Sequence, residues 1–214
     1  VHAAREAEYM AIVARHAEDP SIMPAFKALL HDGLVPALEG EHSDVLGEVF
    51  HLLELHNKDA GQFFTPWPLA LLCAEMTMGA EPLPACGFIT SNEPTIGGGA
   101  MVLAQAVAMR RRGFDPSRQF HVVGQDIDRK VLLMAYVQLS LCGIPAVLFV
   151  GDTLRMTMRE DWYTPVHVLD GWGPRLAIHR AIDRARALVE AVAAEPDEPT
   201  ELEPVEQLPL FGGR

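Results

Sequence analysis

The spacing of apolar positions changes character along this chain, and the change predicts two kinds of architecture. Over residues 1–60 apolar side chains recur at helical spacing: Tyr9, Ile12, Val13 and His16 share a face, and Pro20 and Pro24 break the run. "AFKALLHDGLVPAL" continues as one helix or a pair. Ser43 is a suitable N-cap for "DVLGEVFHLLELHN", in which Val45, Val49, Leu52 and Leu53 form an apolar stripe that reads as core. After the loop "KDAGQFFTP", prolines start a further helix, "WPLALLCAEMTM". Short apolar runs then alternate with helical ones. "CGFITSN", "QFHVVGQD" and "AVLFVGD" predict strands, and "VHVLD" (166–170) a candidate fourth. Helices are expected from Gly99 to Arg112, over "RKVLLMAYVQLSLCG" and from Arg175 to Ala194.

That alternation implies an α/β domain over residues 61–194: about four parallel strands covered by helices, preceded by the helical region 1–60. Ligands of such sheets bind outside the carboxyl ends of the strands. From Glu195 to Arg214 the chain is rich in Pro and Glu, and is expected to be a disordered acidic tail, although apolar residues return in "EQLPLFGGR".

Composition narrows the classes. The 214 residues are 49% hydrophobic, enough to bury a core. Val131 to Val150 lacks charge, but Gln138, Ser140 and the Gly143-Ile144-Pro145 break make it a helix, a turn and a strand rather than a membrane span. No secretory signal is visible, and Cys73, Cys86 and Cys142 lack paired spacing, which suits reduced thiols in a cytoplasmic protein. None of the nine histidines has metal-ligand spacing, so no metal is expected. The net charge is −12, but seven acids lie between Glu190 and Glu206 without a base, leaving about −5 elsewhere. An acidic chain is a weak autonomous DNA binder, since phosphate neutralisation supplies most non-specific affinity.

The chemistry gathers at the expected strand ends. The glycines of "SNEPTIGGGAM" let backbone approach a ligand closely and open a helix N-terminus towards it. Glu93, Asp126 and Asp152 close three successive strands. Asp126 is placed to accept ribose hydroxyls, and Asp152 to meet an adenine edge. Three acids on one rim would repel a pyrophosphate and suit a sulfonium cation with an amino-acid tail, which favours S-adenosylmethionine over NAD or ATP.

"DVLGEVFHLLELHNKDAGQFFTPWPLA", "EPTIGGGAM", "GQDIDRKVLLMAYVQLSLCGIPA" and "GDTL", in that order from Asp44 to Leu154, resemble the methylation subunit of type I restriction-modification systems, N-6 adenine DNA methylases. They look most similar to short relatives on mobile elements. The resemblance implies a Rossmann-like class I S-adenosylmethionine-dependent methyltransferase fold, here shortened, that methylates adenine N6 in DNA. It implies that Gly61, Phe63, Thr65 and Pro66 belong to a first cofactor loop, with Thr65 near the methionine end. Glu93, Gly97 and Gly99 match the glycine-rich loop, with Glu where Asp is usual and Ile96 in place of a cysteine. Asp126 and Asp152 match the ribose and adenine positions.

Adenine-N6 transfer in that family uses Asn/Asp-Pro-Pro-aromatic, whose polar groups hold the amino group of a flipped base while the ring stacks on it. No Pro-Pro occurs in this chain. Asp170 and Trp172 in "VHVLDGWGP" are the nearest candidates by position, "DWYTP" (161–165) is a rival, and a plain turn followed by a core tryptophan is the alternative. Activity is therefore open: a methyltransferase of reduced form, or a non-catalytic descendant acting as an adaptor in DNA metabolism or anti-defence. A sheet of this size is expected to have its edge covered by the amino-terminal helices, a second copy or a partner subunit. At the carboxyl end, Gln207, Leu208, Leu210 and Phe211 resemble the peptides by which bacterial replication and repair proteins dock on the sliding clamp.

Overall fold

The computed structural model describes residues 2–39, 43–53, 65–78 and 82–194, and the chain divides into two units, Val1–Pro174 and Arg175–Arg214. The first unit is built on one sheet in which β1 (Ile89–Glu93), β2 (Phe120–Asp126), β3 (Ala146–Asp152) and β4 (Thr157–Tyr163) lie side by side in chain order. β1, β2 and β3 are parallel, and β4 returns antiparallel against β3. The crossovers run through α6 (Ala100–Arg111), followed by the single turn α7 (Pro116–Gln119), and through α8 (Arg129–Leu141). Two right-handed crossovers stepping the same way put α6 and α8 on one face of the sheet. There Val102, Leu103, Met109, Leu132 and Leu139 meet Phe120, Val122, Ala146, Leu148 and Val150 in a fully or nearly fully buried core. Among the described residues, no helix is long and apolar enough to cross a membrane.

The fourth strand is not where the apolar alternation of residues 166–170 placed it. That segment forms a helix, α9 (Pro165–Leu169). Pro165 sits at its first position, where a missing N–H costs nothing. Thr164 fixes the entry: its hydroxyl donates to the Ile144 carbonyl at 2.9 Å and accepts the Ala146 N–H at 2.8 Å. The actual β4, "TMREDWY", is a charged edge strand. Its Trp162 packs edge-on against Tyr136 of α8.

The amino-terminal region comprises α1 (His2–Arg15), α2 (Ile22–Ala28), a π-helical stretch Leu29–Leu34, α3 (Val35–Glu39) and α4 (Val45–Leu52). Leu34 and Leu38 reach the main core. Asp44, not Ser43, is the N-cap of α4, and its carboxylate accepts the Gly47 N–H at 2.9 Å. The α4 stripe is only partly core: Val45 and Leu46 pack inward, whereas Val49, Leu52 and Leu53 are exposed. α1 lies against the outer edge strand. Arg5 donates to the Asp161 carbonyl at 2.5 Å with its guanidinium over the Trp162 ring, and Arg129 bridges Glu8 and Glu160. Part of the β4 edge is thus occupied by the chain's own first helix. α5 (Trp67–Met78) packs on α6 through Ala70 and Ala74 against Ala100, Ala104 and Ala108, small side chains that allow close approach of the two helices.

On the other side of β2, His121 is buried with His167 of α9, Nε2 to Nδ1 at 2.9 Å, beneath Trp172. A hydrogen bond between two ring nitrogens needs one donor and one acceptor, so protonating both rings breaks it. Burial also holds His167 below the ordinary histidine value of 6.5. With the folded value depressed, the unfolded chain binds more protons, so this stability is present above about pH 6.5 and is lost as pH falls below it. Urea unfolding at pH 7.5 and 5.5 should show a loss on the order of 1 kcal/mol at the lower pH, and His167→Phe should shrink that difference.

The helix α10 (Trp172–Ala194) begins in the first unit and ends within the second. Within the second unit it exposes Ile178, Ile182, Leu188 and Val189 and carries a His179–Asp183 pair one turn apart, at 3.2 Å.

Candidate functional site

The three loops leaving β1, β2 and β3 meet at one end of the sheet and are tied together by hydrogen bonds. Glycine at 97 and 99 adopts φ of 55° and 100°, the left-handed region that side chains resist, so the chain can turn sharply from β1 into α6. Gly99 is the N-cap of α6 and brings no side-chain cap, which leaves the first-turn N–H groups facing the strand ends. Ile96 donates its N–H to the Gln125 carbonyl at 2.9 Å and buries its side chain over Gly124, where an added Cβ would lie 2.5 Å from Ile96 Cδ1. The residue standing in for the usual cysteine is therefore a packing residue.

Asp126 closes the loop from the next strand. Its Oδ2 accepts the Gly97 N–H and its Oδ1 the Asp128 N–H, both at 2.9 Å. A carboxylate offers about four acceptor positions, so two remain for a ligand. The hydroxyl of Thr153, just beyond β3, donates to the Pro94 carbonyl at 2.6 Å. Asp152 accepts the Arg155 N–H at 3.1 Å and remains partly accessible. Glu93 is half-buried at the end of β1, and burial holds its carboxyl above the ordinary range despite a bond from the Thr95 N–H. Glu93, Asp126 and Asp152 thus share the strand-end rim with Gly97 and Gly99.

A buried network extends this rim to the helical region. Gln138 of α8, fully buried, uses its whole amide: Oε1 accepts the Leu46 N–H at 3.0 Å, and Nε2 donates to the Gly98 carbonyl and Asp44 Oδ1, each at 2.8 Å. Asp44, Gln138 and the glycine loop therefore form one unit. Sequence alone marks neither side chain as functional; the signal is one amide within the uncharged part of α8 after Lys130. Thr65 and Pro66 precede α5 and line a cavity beside Asp44. Phe63 and Gly61 lie outside the described residues, as do Gln207, Leu208, Leu210 and Phe211.

The two catalytic candidates are not part of this rim. Asp170 is the C-cap of α9, and α9 starts from Thr164, which is bonded to Ile144 and Ala146 where β3 begins. Trp172 is 1% exposed and packs against Phe88, which precedes β1, and His121 near the start of β2. Both therefore sit at the amino ends of the parallel strands, opposite the glycine loop. The placement at 170–172 rested on reading 166–170 as a strand whose end faced the site. With a helix there, Trp172 is a core residue and Asp170 a turn residue. In the rival "DWYTP", Trp162 is half-buried under Arg5 and beside Tyr136.

The sequence model of the family described as N-6 DNA Methylase matches residues 41–169, spanning α4, the glycine loop, all four strands and α9. No curated protein matches the chain closely enough to count as a relative.

Proposed function

Because the chain belongs to the N-6 DNA methylase family, we propose that the rim formed by Glu93, Gly97, Gly99, Asp126 and Asp152, with Thr65 at its far end, binds S-adenosylmethionine in a protein of the DNA adenine-N6 methyltransferase type. The family implies DNA as substrate and this cofactor as methyl donor. The observation that carries the reading is the Asp126 clasp: one carboxylate holds the glycine loop at Gly97 and keeps acceptor positions open for a ribose. The residues fit the cofactor in charge as well: even with Asp152 facing Arg155 at 3.7 Å, the rim is net acidic, which favours a cation and disfavours a phosphate-bearing nucleotide. When bound, the cofactor supplies a methyl group on a positively charged sulfur. The chain's own part is to hold ribose at Asp126, the adenine edge at Asp152 and backbone against ligand at Gly97 to Gly99. Relatedness to the methylation subunit of type I restriction-modification systems is the finer form of this proposal.

Calorimetry with S-adenosylmethionine tests it. Wild type should bind, and Asp126→Ala should lose roughly 100-fold in affinity through the ribose contact and the slackened loop. A wild type that does not bind, or a variant of unchanged affinity, overturns the cofactor site.

The position of Asp170 and Trp172 away from the rim supports a second reading, in which the fold binds cofactor without transferring methyl and serves as an adaptor. The terminal Gln207, Leu208, Leu210 and Phe211 would then recruit it to a sliding clamp. Transfer of labelled methyl to adenine-containing DNA, with and without clamp, separates the readings: product in either assay favours the enzyme, and none in both favours the adaptor. Clamp affinity unchanged after deletion of 207–211 would remove the recruitment proposal.

A further inference from the structure

From Ala181 to Val189 every residue of α10 is exposed. A helix of this length standing alone in water is marginal, and a run of apolar side chains along it calls for a cover. Ile178, Ile182, Ala185 and Val189 follow at steps of four, three and four, so they form one stripe along the helix. Ile178 is 61% and Val189 69% exposed. At Ile182, Ala185 and Val189 the stripe opens into a hollow of about 360 Å³, with Arg186 in its lining.

The margins of the stripe are basic. By helical geometry Arg175 and Arg186 border it on one side; on the other, Leu188 widens it and Arg184 lies beyond. Asp183 is turned away from the stripe and pairs with His179 at 3.2 Å. This charge pattern disfavours a second copy of the helix as the cover. An antiparallel copy sets Arg175 and Arg186 against the same residues of its partner, a parallel copy sets Arg186 against Ala181, and neither brings an acid. The pattern fits an acidic segment with apolar anchors, and one follows in the chain: residues 195–214 hold six acids and one base, with Leu208, Leu210 and Phe211 among them. Its reach is ample. The stripe extends about 24 Å back from Ala194 at 1.5 Å per helical residue, and the chain from Ala194 to Phe211 can span up to about 56 Å.

We propose that this face of α10 is the docking surface for the acidic segment 195–211 of its own chain, with Leu208, Leu210 and Phe211 meeting the hollow at Ile182 and Val189 and the acids lying along Arg184 and Arg186. The inference is independent of the cofactor site. Tethering gives an effective concentration on the order of millimolar, so an intrinsic Kd of about 0.1 mM keeps the segment docked roughly nine-tenths of the time. Leu208, Leu210 and Phe211 are also the anchors proposed above to reach a sliding clamp. Docking on α10 withholds them, so the helix and a clamp compete for one peptide.

A glutamate-specific protease tests this on the full chain, because Glu201 and Glu206 are not followed by proline and report on the segment itself. Cleavage after both, followed by mass, should be about tenfold faster in an Ile182→Gln, Val189→Gln variant, which removes the apolar stripe but keeps good helix formers. Arg184→Glu with Arg186→Glu should accelerate it as much, whereas Arg184→Lys with Arg186→Lys should stay within about twofold of wild type. All of these positions are exposed, and far-UV circular dichroism checks that each variant keeps its helix. Raising salt to about 0.5 M should speed cleavage of the wild type relative to the Glu variant at the same salt. Equal cleavage rates in wild type and both disruptive variants overturn the inference. Protection that fades when the wild type is diluted a hundredfold would place the segment on another molecule's helix and overturn it as well.

Discussion

Gln138→Leu should destabilise the protein by about 4 kcal/mol, a large part of the roughly 5–15 kcal/mol that holds a typical domain together. Leucine fills much the same volume, so the loss is not a cavity effect. It arises because three groups lose their partner together: the Leu46 N–H, the Gly98 carbonyl and the Asp44 carboxylate. Each buried group left unsatisfied costs about 1–3 kcal/mol. The Asp44 share depends on pH with a definite sign. Its carboxyl is already held above the ordinary range by burial, and the Gln138 amide is one of the bonds pulling it back. Without that donor the folded value rises further. A carboxyl raised on folding contributes stability fully present below its unfolded value and lost as pH rises through its folded one. The deficit of the variant should therefore be larger at pH 7 than at pH 4. Urea midpoints of wild type and variant at both pH values measure this, and a deficit independent of pH would remove Asp44 from the account.

Gly151→Ala should cost about 3 kcal/mol and disturb the site without touching any ligand-facing side chain. Gly151 sits at the irregularity where β4 slips by a residue against β3. An added Cβ would lie 2.0 Å from the Thr157 carbonyl oxygen and 3.0 Å from Gln125 Nε2, which bonds that same oxygen. The first obstacle is backbone and cannot swing away, so the hairpin must separate and carry Asp152 with it. Gly143→Ala is the control: its φ of 68° is costly for alanine, but nothing lies within 4 Å of an added Cβ. It should lose only about 1–2 kcal/mol and leave cofactor affinity unchanged. Equal losses at the two positions, in unfolding and in calorimetry, would refute the steric argument.

What could be read from the sequence follows from what controls local pattern. β2 and β3 are buried on at least one face, so their apolar runs are dense, and the three parallel strands end on Glu93, Asp126 and Asp152. The "GGG" loop announces itself because left-handed backbone needs glycine. β4 was hidden for the opposite reason: an edge strand with Arg159, Glu160 and Asp161 in its middle looks like a polar loop, and its partner β3 decides its conformation. In "PVHVL", Val168 and Leu169 look like core but are exposed, while His167 is buried. The apolar alternation therefore misassigned the element, and with it the expected placement of Asp170 and Trp172 beside the rim. Asp44 and Gln138 stand 94 positions apart, and nothing local to either reveals that they meet.

The contacts that shape the binding rim also set when it can form. The β3–β4 hairpin closes over a short loop and can pair early. The Gly97–Asp126 clasp spans 29 residues, the Gly98–Gln138 bond 40, and the Asp44–Gln138 bond 94. Loop closure over such separations slows assembly, because chain entropy is given up before contacts repay it. The Asp44–Gln138 tie is thus expected among the late contacts of the first unit, since it needs the amino-terminal helices docked on α8. A chain released from denaturant should recover its β-sheet signal before it recovers affinity for ligand.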